Sequence, residues 1–346
     1  MKIIVDAFGG DHAPKAVLEG CAMAVAEYGV EILLTGDREK IERCAAENQI
    51  SLEGITIEHA PGIIPVEADP TDIRKKYADC SLAVGLQRLA DHAGDAFVSA
   101  GSTGALVVGA SLMVGRIKGI KRAAIGTVIP TFQGCYLLLD GGANAECRPE
   151  MLQQFAVMGS AYMEALRGIS NPRVGLINIG TEPNKGTSLQ VESYRLLQNA
   201  PIHFIGNVEP RELPGWACDV AVADGFTGNV VLKLTEGVAL SFAGELKRML
   251  KANTFTMFAA LLMRKNLQEF KKKMDYTEHG GAPLMGIAQP VIKAHGSSNA
   301  KAFKNAIRQA RDYAAGGVID KIETALAAIK AREKMEKSPS EQGAHL

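Results

Sequence analysis

The chain has 346 residues, and its 38 basic and 38 acidic side chains cancel to a formal net charge of zero. Its overall charge therefore favours no polyanionic partner, and one Trp with 5% aromatic residues offers few platforms for stacking nucleic-acid bases. The six cysteines are scattered without a C-x-x-C pair, and no secretory signal is recognisable, so we expect a reducing cytoplasm. No run of 18 or more uncharged apolar residues is present that could span a bilayer.

Strand and helix patterns alternate from the amino terminus onward. The apolar run 2–7 ends at a glycine turn, after which Pro14 opens a helical pattern that ends at Tyr28. The runs 31–35 and 96–99 are each followed by a glycine turn and a further helix. More strands, apolar on both faces, are predicted at 123–129, 135–139, 174–178, 203–205 and 220–223. This alternation predicts an α/β fold with a mostly parallel sheet between layers of helices.

The remaining helical patterns fill most of the second half of the chain. They are predicted at 149–167, 188–198, 227–251, 254–274 and 297–334. Gly316 and Gly317 should break the last of these helices in two. We therefore expect a single domain over residues 1–336, with a helical hairpin at about 238–275, and a disordered polar tail over residues 337–346.

Five glycine-rich clusters follow predicted strands. In open α/β sheets, ligands bind outside the carboxyl ends of strands, where glycine turns and helix N-termini offer unpaired N–H donors. A single cluster is typical of a tight turn, whereas five together predict an anion or phosphate site. None of them matches a P-loop or a complete dinucleotide-binding fingerprint. The clusters lie at residues 8–11, 99–104, 140–144, 180–186 and 224–229.

The order and spacing of six motifs resemble the phosphate acyltransferases of bacterial phospholipid synthesis, the PlsX family. The resemblance runs nearly from end to end of the chain. Its motifs are DAFGGDHAP (6–14), SAGSTGA (99–105), LINIGTE (176–182), DGFTGNV (224–230), GGAPL (280–284) and HGSS (295–298). The chain departs from the family pattern at Phe8, Ser102 and Gly141, where Met, Asn and Val are usual. Only Ser102 bears on chemistry, because a shorter hydroxyl replaces an amide in an expected anion loop.

The resemblance implies transfer of a long-chain acyl group from acyl carrier protein to inorganic phosphate, without a metal or an organic cofactor. The product is an acyl phosphate for the next glycerol-phosphate acyltransferase. It also implies an α/β/α sandwich similar to isopropylmalate dehydrogenases and phosphate acetyltransferases, working as a homodimer at the membrane periphery. Two other functions remain open: a decarboxylating dehydrogenase of the same fold, requiring NAD and a divalent metal, and a non-enzymatic scaffold at a membrane surface.

Two residues are candidates for catalysis. Lys185 lies in a glycine-flanked loop seven residues beyond the predicted strand end at Asn178, and the family's catalytic lysine aligns with it. As a point charge it can hold phosphate and neutralise a tetrahedral intermediate. Asn229 starts a predicted helix, where its amide can face a thioester oxygen. The alternatives are a solvated loop lysine and an ordinary helix cap.

The candidate substrate-binding residues lie in the same glycine-rich segments. Strand-end Asp and Thr residues are often helix caps, and a lone His is often a structural hydrogen-bonding residue, so both alternatives stay open. A covalent route through Cys135 or Cys147 is disfavoured, because neither has a neighbouring His or a helix N-terminal setting. No spaced ligand motif predicts a metal site. The candidates are Gly10, Asp11, Ser99, Gly101, Thr103, Gly104, Asn144, Gly180, Thr181, Asp224, Gly225, Thr227, Gly228 and His295.

The segment 245–275 differs from the rest of the chain, because it holds eight basic and three acidic residues around an uncharged apolar stretch at 253–263. That stretch is too short to span a bilayer but apolar enough to lie in its surface, and flanking lysines would meet anionic headgroups. The alternatives are a dimer interface or a docking site for acidic carrier protein. The candidate membrane contacts are Phe255, Met257, Phe258, Leu261, Leu262, Lys265, Lys271 and Lys272.

Overall fold

The computed structural model describes residues 1–273 and 280–337, with the side chains of 271–273 and 333–337 left out. The predicted tail lies outside the described residues from position 338 onward. The strands are β1 (Lys2–Asp6), β2 (Glu31–Gly36), β3 (Ile55–His59), β4 (Ala96–Ser99), β5 (Ala124–Pro130), β6 (Cys135–Leu139), β7 (Arg173–Ile177), β8 (His203–Val208), β9 (Val220–Val222), β10 (Ala282–Met285) and β11 (Val291–Lys293).

Helices cover both faces of the sheet, as the alternating pattern predicts. They are α1 (Lys15–Tyr28), α2 (Arg38–Glu47), α3 (Ser81–Ala90), α4 (Thr103–Gly109), α5 (Pro149–Arg167), α6 (Ser188–Gln198), α7 (Gly225–Leu250), α8 (Thr254–Leu262), α9 (Arg264–Lys273), α10 (Ala300–Ala315) and α11 (Val318–Lys337). The predicted break at Gly316 and Gly317 separates α10 from α11, and Gly317 has a φ of 65°.

The eleven strands within residues 1–273 and 280–337 form one sheet in the order β3-β2-β1-β4-β11-β10-β5-β6-β9-β7-β8. The first parallel group consists of β3, β2, β1, β4 and β11. The second parallel group consists of β6, β9, β7 and β8. Between these groups, β11–β10, β10–β5 and β5–β6 pair antiparallel, so the two parallel groups run in opposite directions. The mostly parallel α/β prediction is confirmed, with a reversal that the sequence pattern did not predict.

The hydrophobic core divides into layers on either side of each parallel group. Helices α1 and α10 pack together over the first group, where Leu18, Phe303 and Ile307 are fully or almost fully buried. Helices α5 and α11 cover the second group around Phe155 and Tyr162. On the opposite face, α3 and α4 cover the first group and the start of α7 covers the second. The fold thus builds two similar halves that meet at β10 and β5.

Some elements differ from the sequence prediction. The predicted helix 254–274 is two helices, α8 and α9, that meet at Met263. Backbone hydrogen bonds continue across the junction, because Met263 N–H bonds to Ala259 O and Leu267 N–H bonds to Met263 O. Strands β3, β10 and β11 and helix α3 were not predicted. Strands β10 and β11 have only four and three residues, which is too short for a periodic pattern to stand out.

Candidate active site

A cavity of about 540 Å³ opens between the two halves of the sheet. Strand β5 pairs with β10 only through Ala124 and Ile125, and its following residues line the cavity. One part of the lining is apolar, and the other carries glycine backbone and hydroxyl groups. The apolar part includes Val128, Ile129, Pro130, Leu232 and Ala239, and the polar part includes Thr103, Gly141, Gly142, Asn229, His295, Gly296, Ser297 and Ser298. This volume and this mixed lining are typical of small-molecule sites.

The glycine turns after β1, β4 and β11 pack against one another at the polar end. The Asp11 N–H donates to Gly296 O at 2.8 Å, which joins the first turn to the third. A Cβ at Gly9 would lie 2.5 Å from Gly101 N, so the turns after β1 and β4 approach too closely for any side chain. These contacts bring two of the five predicted clusters, 8–11 and 99–104, together with the turn after β11, which was not one of the five.

The Ser99 side chain links the end of β1 to the turn after β4. Its hydroxyl donates to Asp6 Oδ2 at 2.7 Å and accepts from Gly101 N–H at 3.0 Å. Both side chains are buried, and burial raises the pKa of the Asp6 carboxyl, although hydrogen bonds oppose that shift. Ser99 therefore lies beneath the glycine turns and does not line the cavity.

The second half contributes a loop that is built around Asp140. This buried carboxylate accepts from the N–H groups of Ile125, Gly142, Ala143 and Asn144 at 2.7–3.1 Å. The Asn144 side chain donates to the same carboxylate and to Ala123 O, both at 2.8 Å. The loop thereby holds Gly141 and Gly142 at the cavity wall.

Helix α7 begins beside that loop. Asp224 caps the helix, accepting from the Thr227 N–H at 2.9 Å and the Thr227 hydroxyl at 2.7 Å. A Cβ at Gly228 would lie 2.0 Å from Asp140 O, so only glycine permits this contact. Asn229 follows in the first turns of α7, next to Gly142, and lines the cavity.

Lys185 occupies a separate loop at the end of β7. Its N–H donates to Glu182 O at 3.1 Å, and its carbonyl accepts from Asn178 Nδ2 at 3.0 Å. The side chain is exposed and passes over Gly180, with its Cγ 3.2 Å from where a Cβ at Gly180 would stand. Gly180, Thr181 and Lys185 are not among the described residues that line the cavity.

The charged residues of the described lining are Lys233, Glu236 and Lys293. Lys233 Nζ pairs with Glu236 Oε2 at 2.8 Å. His295 Nδ1 lies 2.8 Å from the Ser297 hydroxyl, and the pKa of its imidazole is lowered, first by desolvation and then by the Lys233 charge. His295 is therefore neutral at pH 7, and the positively charged residues of the described cavity wall are Lys233 and Lys293.

The structure places the predicted substrate-binding residues in three settings. Thr103 and His295 line the cavity together with Asn229. Gly180 and Thr181 lie in the loop of Lys185. The remainder build the turns behind the lining; they are Gly10, Asp11, Ser99, Gly101, Gly104, Asn144, Asp224, Gly225, Thr227 and Gly228. Most of the residues predicted to bind substrate therefore form the turns behind the cavity wall and do not line the cavity themselves.

Lys233 and Lys293 were not among the sequence candidates. Lys293 ends the short strand β11 two residues before His295, and the only available signal was a lysine between an apolar run and a glycine turn. Lys233 has no comparable signal, because lysines on helices are usually solvated.

Burial raises the pKa of both cysteines that were considered for covalent catalysis. The pKa of Cys147 rises to about 12, and that of Cys135 rises for the same reason. Both thiols are therefore protonated and weakly nucleophilic at neutral pH. Within residues 1–273 and 280–337, no group of three or more His, Cys, Asp or Glu side chains could hold a metal ion.

The basic segment forms an exposed projection from the domain. None of the residues of α8 is buried, and Phe255 and Leu262 are 87% and 72% exposed. Phe270 of α9 stacks with Phe132 at the turn between β5 and β6, with ring centroids 6.5 Å apart. Lys271 and Lys272 belong to α9, where only the backbone is described. None of the described helices combines the length and apolar character that crossing a membrane requires.

Comparison with known proteins matches nearly the whole chain. A family model described as "Fatty acid synthesis protein" matches residues 1–321. A phosphate acyltransferase of Alkaliphilus oremlandii is 46% identical over 329 residues, which are 95% of this chain and 98% of that protein. A phosphate acyltransferase of Bacillus cereus is 45% identical over 328 residues, which are 94% of this chain and 98% of that protein.

Solved structures with the same fold are more distant in sequence. A phosphotransacetylase from Streptococcus pyogenes superposes with a TM-score of 0.65 at 16% identity, covering 91% of this chain and 94% of that chain. The EutD phosphotransacetylase from Staphylococcus aureus gives 0.60 at 17% identity with the same coverage. At such identities the likeness concerns the fold alone, and it confirms the predicted similarity to the phosphate acetyltransferase fold.

Proposed function

This chain belongs to the fatty acid synthesis protein family, the PlsX-type phosphate acyltransferases, and on that premise we propose that it transfers a long-chain acyl group from acyl carrier protein to inorganic phosphate. The observation that carries the proposal is the cavity between the two halves of the sheet. Its glycine turns and hydroxyl groups suit a phosphate and a thioester oxygen, and its apolar part suits the start of an acyl chain.

The reaction requires neither a strong acid nor a strong base from the protein. Inorganic phosphate is substantially dianionic at neutral pH, since phosphoester analogues have a second pKa near 6. The leaving thiol has a pKa of about 8.5, so a thiolate can depart without a strong acid. The main requirements are alignment of two substrates and stabilisation of negative charge.

We assign these requirements to particular residues. Asn229 donates its amide N–H to the thioester oxygen, where charge develops during attack. Lys185 approaches from its loop to neutralise phosphate and the tetrahedral intermediate. Thr103 and His295, which line the cavity, contact phosphate or the thioester. The remaining candidates hold the backbone N–H groups that face the substrates.

Phosphate-dependent release of carrier thiol tests this function. The purified chain should free the thiol from acyl-acyl carrier protein only when phosphate is present, and hydroxylamine should trap an acyl phosphate in equal amount. Activity should persist in a chelator and without NAD. Thiol release that does not depend on phosphate would instead indicate an adventitious hydrolase. A reaction that needs NAD and a divalent metal would support the dehydrogenase alternative.

The homodimer is supported by an apolar row along α7. Five exposed side chains follow one another at four-residue spacing, which is the i±4 ridge that helices use for packing. They are Phe226, Val230, Leu234, Val238 and Phe242, each 51–68% exposed. Monomeric proteins rarely expose so continuous an apolar row, so we propose that a second copy of the chain covers it.

Leu234→Glu should therefore convert the dimer into a monomer. A charge at the centre of the row would be desolvated in the interface without a partner. Light scattering should report the mass of two chains for the native protein and of one chain for the variant. Glu245→Gln, farther along the same helix, is the matched control and should stay dimeric; a dimeric Leu234→Glu would place the interface elsewhere.

The hairpin projection suits a membrane surface, where a lipid-like product could be delivered to a glycerol-phosphate acyltransferase. Exposed apolar residues of α8 lie beside the basic residues Arg264 and Lys265 of α9. The candidate contacts are Phe255, Met257, Phe258, Leu261, Leu262 and Lys265, together with Lys271 and Lys272. We propose a cytoplasmic enzyme that binds anionic membranes at their periphery.

A Phe255→Glu/Leu262→Glu variant should bind anionic vesicles at least about tenfold more weakly, because it loses apolar burial and adds repelled charges. Sedimentation with vesicles that contain phosphatidylglycerol would measure this. Thiol release in solution should stay unchanged. A raised KM for acyl-acyl carrier protein without vesicles would instead indicate that the hairpin docks the carrier.

A further inference from the structure

Lys293 is a partly buried cation in the cavity wall, and it is not among the residues assigned to the mechanism. It ends β11, where it pairs with Ser99 of β4 on one side and with Ala282 of β10 on the other. Its side chain therefore rises from the meeting point of three strands into the cavity wall. Lys233, the other lysine of the described lining, is already neutralised by Glu236 at 2.8 Å.

The Lys293 ammonium is held in place by backbone. Its Nζ donates to Ala294 O at 2.6 Å and to Ala100 O at 3.3 Å. An ammonium has three N–H donors, so two fixed bonds leave one for a ligand. Because Ala100 and Ala294 each precede a glycine turn, this ammonium is anchored where the turns after β4 and β11 meet.

The surroundings of Lys293 lower the pKa of its ammonium group. Burial lowers its pKa to about 8, the Asp6 and Asp11 carboxylates oppose that shift, and the Lys233 charge adds to it. His295 also faces this charge, and Glu236 lies near that imidazole. At pH 7 the group is still mainly protonated, yet its pKa nearly matches the value of about 8.5 for a free thiol.

Acyl transfer to phosphate moves one proton from a phosphate oxygen to the leaving sulfur, and no proton is released to solvent. An oxygen of the phosphate dianion forms a bond to the thioester carbon, and the carbon–sulfur bond breaks with its electron pair on sulfur. The remaining phosphate O–H becomes more acidic once its phosphate is acylated, while the thiolate must gain a proton to become the carrier thiol. A group that contacts both atoms can transfer that proton directly.

Resting on the proposed function, we propose that Lys293 is a further catalytic residue that binds phosphate and carries its proton to the departing sulfur. The ammonium gives a proton to sulfur as the carbon–sulfur bond breaks, and it regains one from the acylated phosphate. Lys293 begins and ends the cycle protonated, and no other reactant is needed.

Lys293→Arg separates charge from proton transfer, because a guanidinium keeps its charge but does not release its proton near neutral pH. We expect kcat with acyl-acyl carrier protein to fall about 10²-fold or more, with the KM for phosphate changed less than about threefold. An aryl thioester, whose thiolate leaves without protonation, should restore turnover to within about tenfold of the native enzyme. Lys185→Ala is the contrasting variant, because it removes a charge, and the aryl thioester should not restore its turnover.

The native enzyme gives an independent measurement that does not depend on a folded variant. At saturating phosphate, kcat/KM for acyl-acyl carrier protein should decline above a midpoint near pH 8, where Lys293 loses its proton; with the aryl thioester this decline should be absent. Equal declines with both donors, or a Lys293→Arg enzyme of native activity, would overturn the proposal. A native enzyme without phosphate-dependent turnover would instead refute the proposed function itself.

Discussion

An Asn229→Ala enzyme should turn over acyl-acyl carrier protein about 10²- to 10³-fold more slowly than the native enzyme, which is the usual effect of losing one oxyanion donor. Asn229 lines the cavity in the first turns of α7, and a Cβ at Gly142 would lie 3.4 Å from its side chain. The amide is therefore placed beside a glycine loop that Asp140 holds rigidly. Because the interaction strengthens only as charge develops, kcat should fall more than the KM for phosphate rises.

Asn229→Asp is the informative companion to that variant. The carboxylate has the size of the amide but only accepts hydrogen bonds, so it should be at least as slow as Asn229→Ala. Thermal unfolding should be nearly unchanged in both, because the Asn229 side chain is exposed to the cavity. Stopped-flow detection of carrier thiol would measure the rates, and a kcat above one-third of the native value would remove the oxyanion role.

The parallel strands were predictable because their composition reports burial directly. Strands such as Cys135–Leu139 are apolar on both faces, and that pattern arises where helices cover both sides of a sheet. The antiparallel junction was not predictable in the same way. Residues 282–285 and 291–293 are strands only because β5 and β4 lie beside them, so their structure is decided by partners distant in sequence.

The same junction explains how much of the site the sequence could predict. The glycine clusters indicated which strand ends matter, and two groups of them do meet at the cavity. The sequence pattern gave no sign that the second parallel group is reversed, however, so it placed all five clusters at one edge. It also did not identify Lys293, whose chemistry depends on its partial burial at the meeting of three strands and on two carbonyl oxygens.

Lys185→Ala should lower phosphate-dependent thiol release by at least about 10²-fold, and the KM for phosphate should rise, since a point charge contributes both to binding and to charge stabilisation. The backbone of the loop that carries Lys185 is fixed by hydrogen bonds and a turn. Asn178, Glu182 and the turn at Gly186, with a φ of 91°, hold its backbone, while the side chain is exposed and free to move toward a ligand. A substrate that recruits this side chain would complete a cavity whose described wall already holds two other lysines.

Two further variants decide between charge and structure at this position. Lys185→Arg keeps the charge and should recover much of the lost activity, whereas Lys118→Ala, at another exposed loop lysine, should behave as the native enzyme. Thermal unfolding of Lys185→Ala should match the native protein, because no side-chain burial is lost. Undiminished turnover in Lys185→Ala would mean that Lys293 holds the phosphate without it, since Lys233, the other lysine of the described cavity wall, is paired with Glu236. The catalytic charge would then come from β11 in the first half of the sheet, and not from the loop after β7.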